Sequence, residues 1–578
     1  MRPPSAHAMS DRASFLSDLL SCLVLLGGII TGVVSVHMVI STYSSLPYWD
    51  EWGLVDRLAT GQPFSLAWLW AQHNEHRIPF SKLFFQADIR LVHGNQILLL
   101  ASIFFITVLH VVLLSWSLRS LGGMRGAAWR IGTGLVAFLL LSPIQQENLV
   151  WGFQLSFVLP TAMATLATLA LLLHHSSNRK GGRRGLMFLL LSIAAASVAT
   201  FSLANGMLLW PVLILAAVLV QTSYSTTVAL VLAAAVNIGG YFYHYHLPSQ
   251  AGPRVSVHNF FQVLEYIALY FGSTWIHHAT VYVPIAIGIV ALAGAVAIVT
   301  RVLLRRDTRS LLMVQLSLLL LFCMGTAMVT AFGRLRFGIE QAGSSRYQVF
   351  TLLFWCALGL SVFCGTNTHQ ANNRNLTRFS GLVLLVMAGA ATQARYPIRD
   401  ARWHKVRLQA ISNALLADVR DPEQLVLAFP NAKLVTRDAE YLRRNRLSIF
   451  AEEPFSQLGQ PLERFYQLRA AEQCSGYIGN WESLPTASSL GLRVSGYAWN
   501  HSLRAPVRQV VFASEGRIQG FGSSVTIPMK SVKPGPDADA KRFGWLGYVG
   551  GIAPHDKVEV YAVLADSVSV CPVVAIYQ

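Results

Sequence analysis

Charge is what this sequence has least of. Asp, Glu, Lys and Arg make up 13% of its 578 residues, where a soluble globular chain carries about 25%. Residues from the set Ala, Val, Ile, Leu, Met, Phe, Trp, Tyr and Cys reach 53%. Together these exclude a disordered chain and argue against an ordinary soluble enzyme. Acids are scarcer still than bases, 28 against 45, for a net charge of +17. No stripe of Lys and Arg interleaved with aromatics accompanies that excess, so no nucleic-acid partner is expected. No Gly-rich phosphate loop is seen. Cysteine is sparse too: six residues, with no C-x-x-C pair and no zinc spacing. Cys22, Cys323, Cys356 and Cys364 fall in apolar runs and read as small buried hydrophobes. Cys474 and Cys571 lie in the C-terminal tail and could pair if that tail faces an oxidising compartment.

What the chain has is long apolar runs. A membrane-crossing helix needs about 18 such residues, and eleven runs approach or exceed that. They are Phe15–Ile40, Gln96–Leu118, Gly126–Pro143, Leu149–Leu173, Gly185–Leu203, Met207–Val220, Thr226–Tyr243, Val281–Leu304, Leu311–Phe332, Tyr347–Cys364 and Phe379–Ala394. The third, sixth and eleventh are short. With the N-terminus inside, the cytoplasmic segments hold fifteen basic residues and three acids, while the outer loops before residue 395 hold eight of each. Basic residues in short loops set orientation. Eleven crossings then place the tail outside, as in a protein of the bacterial inner membrane.

The unusual polar residues gather in the outer loops. Loop one, 41–95, carries apolar residues at helical spacing and reads as two or three amphipathic helices at the membrane surface. Asp50 and Glu51 follow Pro47 at the end of the first span. Adjacent carboxylates at a membrane boundary are costly unless paired or used. The functional reading is a general base, with a divalent cation as an option. His73, Asn74, Glu75, His76 and Arg77 form a polar knot. On a helix His73 and His76 would share a face, yet the spacing is not that of a zinc protease. A hydrogen-bonded knot or a substrate contact is the stronger reading. Loop two brings Glu147 and Asn148 to the mouth of a span, with Gln154 about two turns inside. Loop four carries His244, His246, Arg254, His258, Glu265, His277 and His278 around an apolar stretch, Phe260–Ile276. That stretch is read as an interfacial helix, because a twelfth span would break the charge alternation. Loop five, GRLRFGIEQAGSSRY, places Arg334, Arg336 and Arg346 where outer loops rarely hold bases, with Tyr347 beside them. Forked guanidinium donors at Arg336 and Arg346 suit a phosphate; pairing with Glu340 or with the loop-one acids is the other reading, and the two are compatible.

The tail reads as soluble. Helices are expected at Arg402–Val419 and Arg437–Arg444, and a strand at Leu425–Phe429. From Leu490 short alternating strands follow, with a hairpin at Ser514-Glu515-Gly516. Tyr497, Trp499, Phe521 and Trp545 could stack on sugars, although core packing is their stronger reading. The expected fold is a polytopic helical membrane domain, 1–394, an α/β linker region, 395–484, and a small β-sandwich, 485–578.

This plan resembles the GT-C superfamily of polytopic glycosyltransferases over residues 1 to about 395. The resemblance rests on the acidic pair in YWDEW after the first span and on the long first outer loop with interfacial helices. It rests also on the long loop after the seventh span and on the late arginine motif. HNEHR and QENLVWGFQ are similar to segments of uncharacterised bacterial membrane proteins of the same plan. The resemblance implies a polyprenyl-phosphate-linked sugar donor used at the outer face and no nucleotide sugar. It places a catalytic carboxylate at Asp50, with Glu51 beside it, and lipid-phosphate contacts at Arg336 or Arg346. His73, Glu75, His76, Arg77, Glu147, Asn148, Gln154, Arg334 and Tyr347 complete the candidate substrate contacts. Asp50, His76, Glu147 and Arg346 are expected to converge on one cavity. The expected function is transfer of a sugar to a cell-envelope glycan or lipid acceptor. A lipid or glycan transporter, or a periplasmic ligase or acyltransferase, is the alternative.

Overall fold

A computed structural model describes residues 6–62, 64–178, 183–247, 259–276, 281–366, 373–487, 489–525, 544–553 and 556–577. Arg254, His258, His277 and His278 lie outside them. The chain divides into two compact units. One holds Met1–Ser41, Ser65–Phe84 and Leu99–Ala401, and the other Thr42–Phe64, Phe85–Leu98 and Arg402–Gln578. The expected linker region and strand region, from Arg402 on, thus belong to one unit, and parts of the first loop belong with them.

The helices run α1 (Ala6–Thr42), α2 (Asp50–Ala59), α3 (Leu66–Trp70), α4 (Pro79–Val92), α5 (Ile97–Ser120), α6 (Gly126–Leu140), α7 (Gln146–Val150) and α8 (Leu155–Asn178). They continue as α9 (Arg183–Thr200), α10 (Leu209–Leu219), α11 (Tyr224–Phe242), α12 (Phe260–Gly272), α13 (Tyr282–Leu304), α14 (Leu311–Arg334), α15 (Gln348–Thr366) and α16 (Asn373–Gln393). The tail adds α17 (Arg395–Leu416), α18 (Pro422–Ala428), α19 (Ala432–Arg444) and α20 (Glu453–Gln457). Among the described residues, ten helical segments are long and apolar enough to cross a membrane, which makes this an integral membrane protein.

The expected sixth span is shorter than the rest. A 3-10 turn, Ala204–Leu208, leads into the eleven-residue α10. At about 2.0 and 1.5 Å per residue the two reach roughly 26 Å, against about 30 Å of hydrocarbon. They nonetheless return the chain along the bundle. His174, near the end of α8, bonds Thr226 at the start of α11. At the other end of α11, the Tyr241 carbonyl accepts from Arg77. Next to Arg77, His76 accepts from the amide of Ala204. The segment 204–219 therefore starts at the end of the bundle where α11 finishes. Parallel packing brings α1 and α6 to that same end: Arg130 donates to Ser21 and, further on, Ser35 donates to the carbonyl of Leu141.

The stretch after Phe260 forms α12 and is too short to cross, as expected. It does not lie alone at a surface. A Cβ on Gly272 would come within 1.7 Å of the Pro284 carbonyl, and one on Gly288 within 1.8 Å of the Ala268 carbonyl. α12 therefore packs antiparallel against the first half of α13, backbone against backbone. Small residues permit that approach between membrane helices.

In the other unit, α2 belongs with the tail. The expected strand at Leu425–Phe429 is instead most of α18. Asp421 Oδ1 accepts from the amides of Glu423 and Gln424, and Pro422 holds the first turn. An N-cap followed by proline outweighs the strand preference of Leu-Val-Leu. The strands are β1 (Gln467–Leu468), β2 (Cys474–Pro485), β3 (Leu490–Asn500), β4 (Ala505–Pro506), β5 (Gln509–Ser514), β6 (Arg517–Val525), β7 (Gly544–Ile552), β8 (Lys557–Val563) and β9 (Ser569–Tyr577). The hairpin at 514–516 is present. Ser514 pairs with Arg517 across Glu515 and Gly516, both at positive φ, the twist a two-residue hairpin turn needs.

The expected sandwich is a single sheet, ordered β1-β9-β8-β5-β6-β7-β3-β2, with β4 on β3. It curls until its two ends meet. Cys474 on β2 is bonded to Cys571 on β9, with Cα atoms 6.1 Å apart. Both half-cystines pack in one core with Leu492, Phe512, Trp545 and Val560. Strands with one apolar face can bury it by closing on themselves as well as by stacking two sheets. Trp545 and Tyr497 are buried here, so packing is their role.

Candidate functional site

Five loop ends of the membrane unit meet around two ion pairs. The first is built on the knot at 73–77. The amide of His73 donates to the His76 carbonyl, 2.8 Å, and the amide of His76 returns to His73, 2.9 Å. Asn74 has φ 50°. The segment is a tight reversal, so the two imidazoles oppose each other across a turn and do not share a helix face. Asn tolerates that positive φ and so breaks the helical reading. Glu75, at the tip, pairs with Arg334 at the end of α14, and its Oε1 is 3.9 Å from His76 Nε2. Because His76 Nδ1 accepts from the Ala204 amide, Nε2 carries the proton that faces Glu75. Burial pushes the Glu75 carboxyl up, but His76, Arg334 and Arg336 outweigh it and hold it below the usual range. Burial, aided by Arg334 and opposed by Glu75, holds the His76 imidazole below its ordinary value. The knot thus presents a carboxylate, a neutral imidazole and a guanidinium together. Arg336 is exposed and lies over the ring of Phe337, 4.6 Å from its centroid.

The second pair joins α7 to the start of α15. Arg346 Nε donates to Glu147 Oε2, 3.2 Å, and to Ser344 Oγ, 3.1 Å, and the Arg346 amide also reaches Glu147. Ser345 Oγ donates to the Ile144 carbonyl and accepts from the Glu147 amide, and Asn148 donates to the Ser345 carbonyl. The Arg346 guanidinium lies 5.7 Å from the ring centre of Trp151. About a third of both the Arg346 and Glu147 side chains, 32% each, stays exposed, so the pair is open to a ligand. A contact path connects the two pairs: Trp151 stacks on Phe153, and Phe153 meets the ring of His73 at 5.3 Å. His76, Glu147 and Arg346 therefore do gather in one region of one unit.

Other expected contacts are structural here. Arg77 is 3% exposed. Its Nε and Nη1 donate at 2.6 Å to the carbonyls of Tyr241 and Trp70, and it also donates to Tyr243. A cation at the end of α11 suits the helix dipole. Tyr347 is buried and stacks on Tyr270. Replacing Arg77 with alanine should leave three carbonyls without this donor and cost at least about 3 kcal/mol. Thermal unfolding of the detergent-solubilised protein would record it, and an unchanged transition would refute the clamp. Gln154 is fully buried and neither of its amide atoms has a hydrogen-bond partner. Such groups in native proteins are few and call for an explanation.

Asp50 and Glu51 belong to the other unit. Glu51 is 1% exposed, and its Oε2 accepts from the Tyr48 amide, 2.8 Å, and from Gln96 Nε2, 3.3 Å. The Glu51 amide returns to the Tyr48 carbonyl. That reciprocal bonding fastens the first turn of α2, a capping role. Asp50, the first residue of α2, is half-buried.

Sequence reasoning left out Trp151, Ser344 and Ser345, although Trp151 sits in QENLVWGFQ. It also left out Lys82, fully buried, which donates to the carbonyls of Trp68, Leu69 and Ala71 and so closes the end of α3. A cavity of about 380 Å³ adjoins the second pair. Ile30 and Val34 of α1, Phe138 of α6, Leu352 of α15 and Met387 of α16 line it, with Ser142-Pro143-Ile144 as one wall. Among the described residues, no group of three His, Cys, Asp or Glu could hold a metal ion.

Fold and site together define a polytopic helical membrane protein with a C-terminal sheet domain and a charged cluster at one end of its bundle. No protein-family model, curated protein or solved structure matches the chain.

Proposed function

We propose that this protein is a membrane glycosyltransferase. It moves a sugar from a polyprenyl-phosphate carrier to a cell-envelope glycan or lipid acceptor at the outer face of the membrane. One observation carries the reading: Ser142, Pro143 and Ile144 wall an apolar cavity among the spans, and the Ile144 carbonyl accepts from Ser345, the neighbour of Arg346 in the Glu147–Arg346 pair. An arginine beside an apolar cavity fits a substrate with a phosphate head and a hydrocarbon tail.

The site's end of the bundle faces outward in this reading. Arg119, Arg125, Arg301, Arg305 and Arg374 fall at helix ends or in the turns at the opposite end, which the positive-inside rule assigns to the cytoplasm. The Cys474–Cys571 bond supports a tail in an oxidising compartment.

In the reaction, a general base takes the proton of the acceptor hydroxyl, the role that the resemblance gives to Asp50. The acceptor oxygen bonds to the anomeric carbon as the bond from that carbon to the phosphate oxygen breaks. The lipid phosphate leaves with the electron pair, and Arg346, aided by Arg334, stabilises its charge. Attack opposite the leaving group inverts the anomeric centre. Topology reporters fused at Asn375 should read cytoplasmic, and those fused after Arg399 external. Mass spectrometry of surface glycans and polyprenyl-linked sugars from a deletion strain should show a lost glycan and an accumulated donor. Unchanged profiles, or an internal tail, would remove the reading.

A further inference from the structure

The tail unit holds a second cavity, of about 320 Å³, whose lining is about half polar where helix-on-sheet packing is ordinarily apolar. α17 has two neighbouring stripes. Ala410 and Ala414, with Val406, pack into a core with Tyr548. Lys405, Gln409, Ser412, Asn413 and Leu416, at i, i+4, i+7, i+8 and i+11, line the cavity. Opposite them the sheet contributes alternate residues of two paired strands. Gln509 pairs with Ser523 and Val511 with Phe521, so all four side chains share one face. Glu452, Glu453 and Gln457 close one side. Asn413 of α17 donates to Ser523 of β6, and Tyr466 donates to Gln457 on the closing side, so part of the polar wall is ordered by its own hydrogen bonds.

The chemistry of the lining selects the ligand. One lysine stands against two glutamates, which disfavours a phosphate or a nucleotide. No group of three metal-ligating side chains occurs among the described residues. A hydrocarbon chain would strand the amides and carboxylates without partners. What remains is a neutral molecule whose groups both donate and accept, to match Gln409, Asn413, Gln457 and Gln509. Phe521 adds an apolar ring face on which such a molecule can rest. We propose that the cavity between α17 and the β5–β6 hairpin binds a neutral sugar residue of a glycan. This goes beyond the transfer reaction and does not depend on it, because a transporter of glycans would use the same site.

The test uses the full-length protein in lipid nanodiscs. Binding of glucose, galactose, mannose, N-acetylglucosamine, maltose, cellobiose and chitobiose is followed by saturation-transfer NMR and titration calorimetry. At least one should bind saturably, and millimolar inorganic phosphate should not displace it. Gln409→Ala should weaken binding tenfold or more, and Ser412→Trp, which fills the cavity, should abolish it. Gln409→Ala decides alone if the tryptophan variant does not fold. Binding by none of the seven sugars, displacement by phosphate, or parent-like affinity in Gln409→Ala would each overturn the proposal.

Discussion

Arg346→Lys is expected to slow sugar transfer from a polyprenyl-phosphate donor by about 10²–10³-fold, the usual cost of losing one donor to a developing anion. Lysine keeps the charge, so a purely electrostatic role would survive the change. It loses the planar fork. Arg346 Nε is held by Glu147 and Ser344 while the guanidinium plane lies near Trp151. An ammonium group has no rigid second nitrogen to offer once it has paired with Glu147. The loss should appear in kcat more than in KM, since the charge grows as the lipid phosphate leaves. Purified protein in nanodiscs with a labelled donor gives the measurement. A parent rate in the lysine variant would discard Arg346 as the phosphate residue.

Asp50→Asn is expected to cost about 10²–10⁴-fold in the same assay, the range for a general base. The amide keeps the size of the side chain but has no basic oxygen for the acceptor's proton. Expression and thermal unfolding should be close to the parent, because Asp50 is half-buried at a helix start. Glu51→Gln separates the two acids. Its carboxylate already serves Tyr48 and Gln96 inside the fold, so glutamine there should affect stability more than transfer. If Asp50→Asn transfers sugar at the parent rate, the base lies elsewhere. If the parent transfers no sugar yet a glycan lipid crosses the membrane only in its presence, a transporter replaces the glycosyltransferase.

Particular residues show why some of this was legible in the chain and some was not. The arginine loop announced itself because three arginines in one loop depart from the charge pattern of its neighbours. The short α12 was legible because an extra crossing conflicts with the basic residues on either side. The hairpin at Glu515-Gly516 carries its own local signal. The reversal at His73–His76 was missed because helical spacing is assumed until a positive φ, here at Asn74, breaks it. Arg77 read as a substrate contact because its acceptors on α11 lie more than 160 residues away. Glu51 read as half of a catalytic pair, although its partners Tyr48 and Gln96 take up its carboxylate.

The sequence by itself determined that the chain crosses a membrane, roughly where, and at which end its polar loops lie. Hydrophobicity summed over a span and charge counted over a short loop are local quantities, complete before any folding occurs. The tertiary structure alone decided which polar residues pair with one another and which meet the backbone, that the short α10 carries the chain back along the bundle, and that one sheet closes on itself through a disulfide. Each of those depends on pairing between groups far apart in the chain, where the cost of burying an unpaired polar group selects the partner.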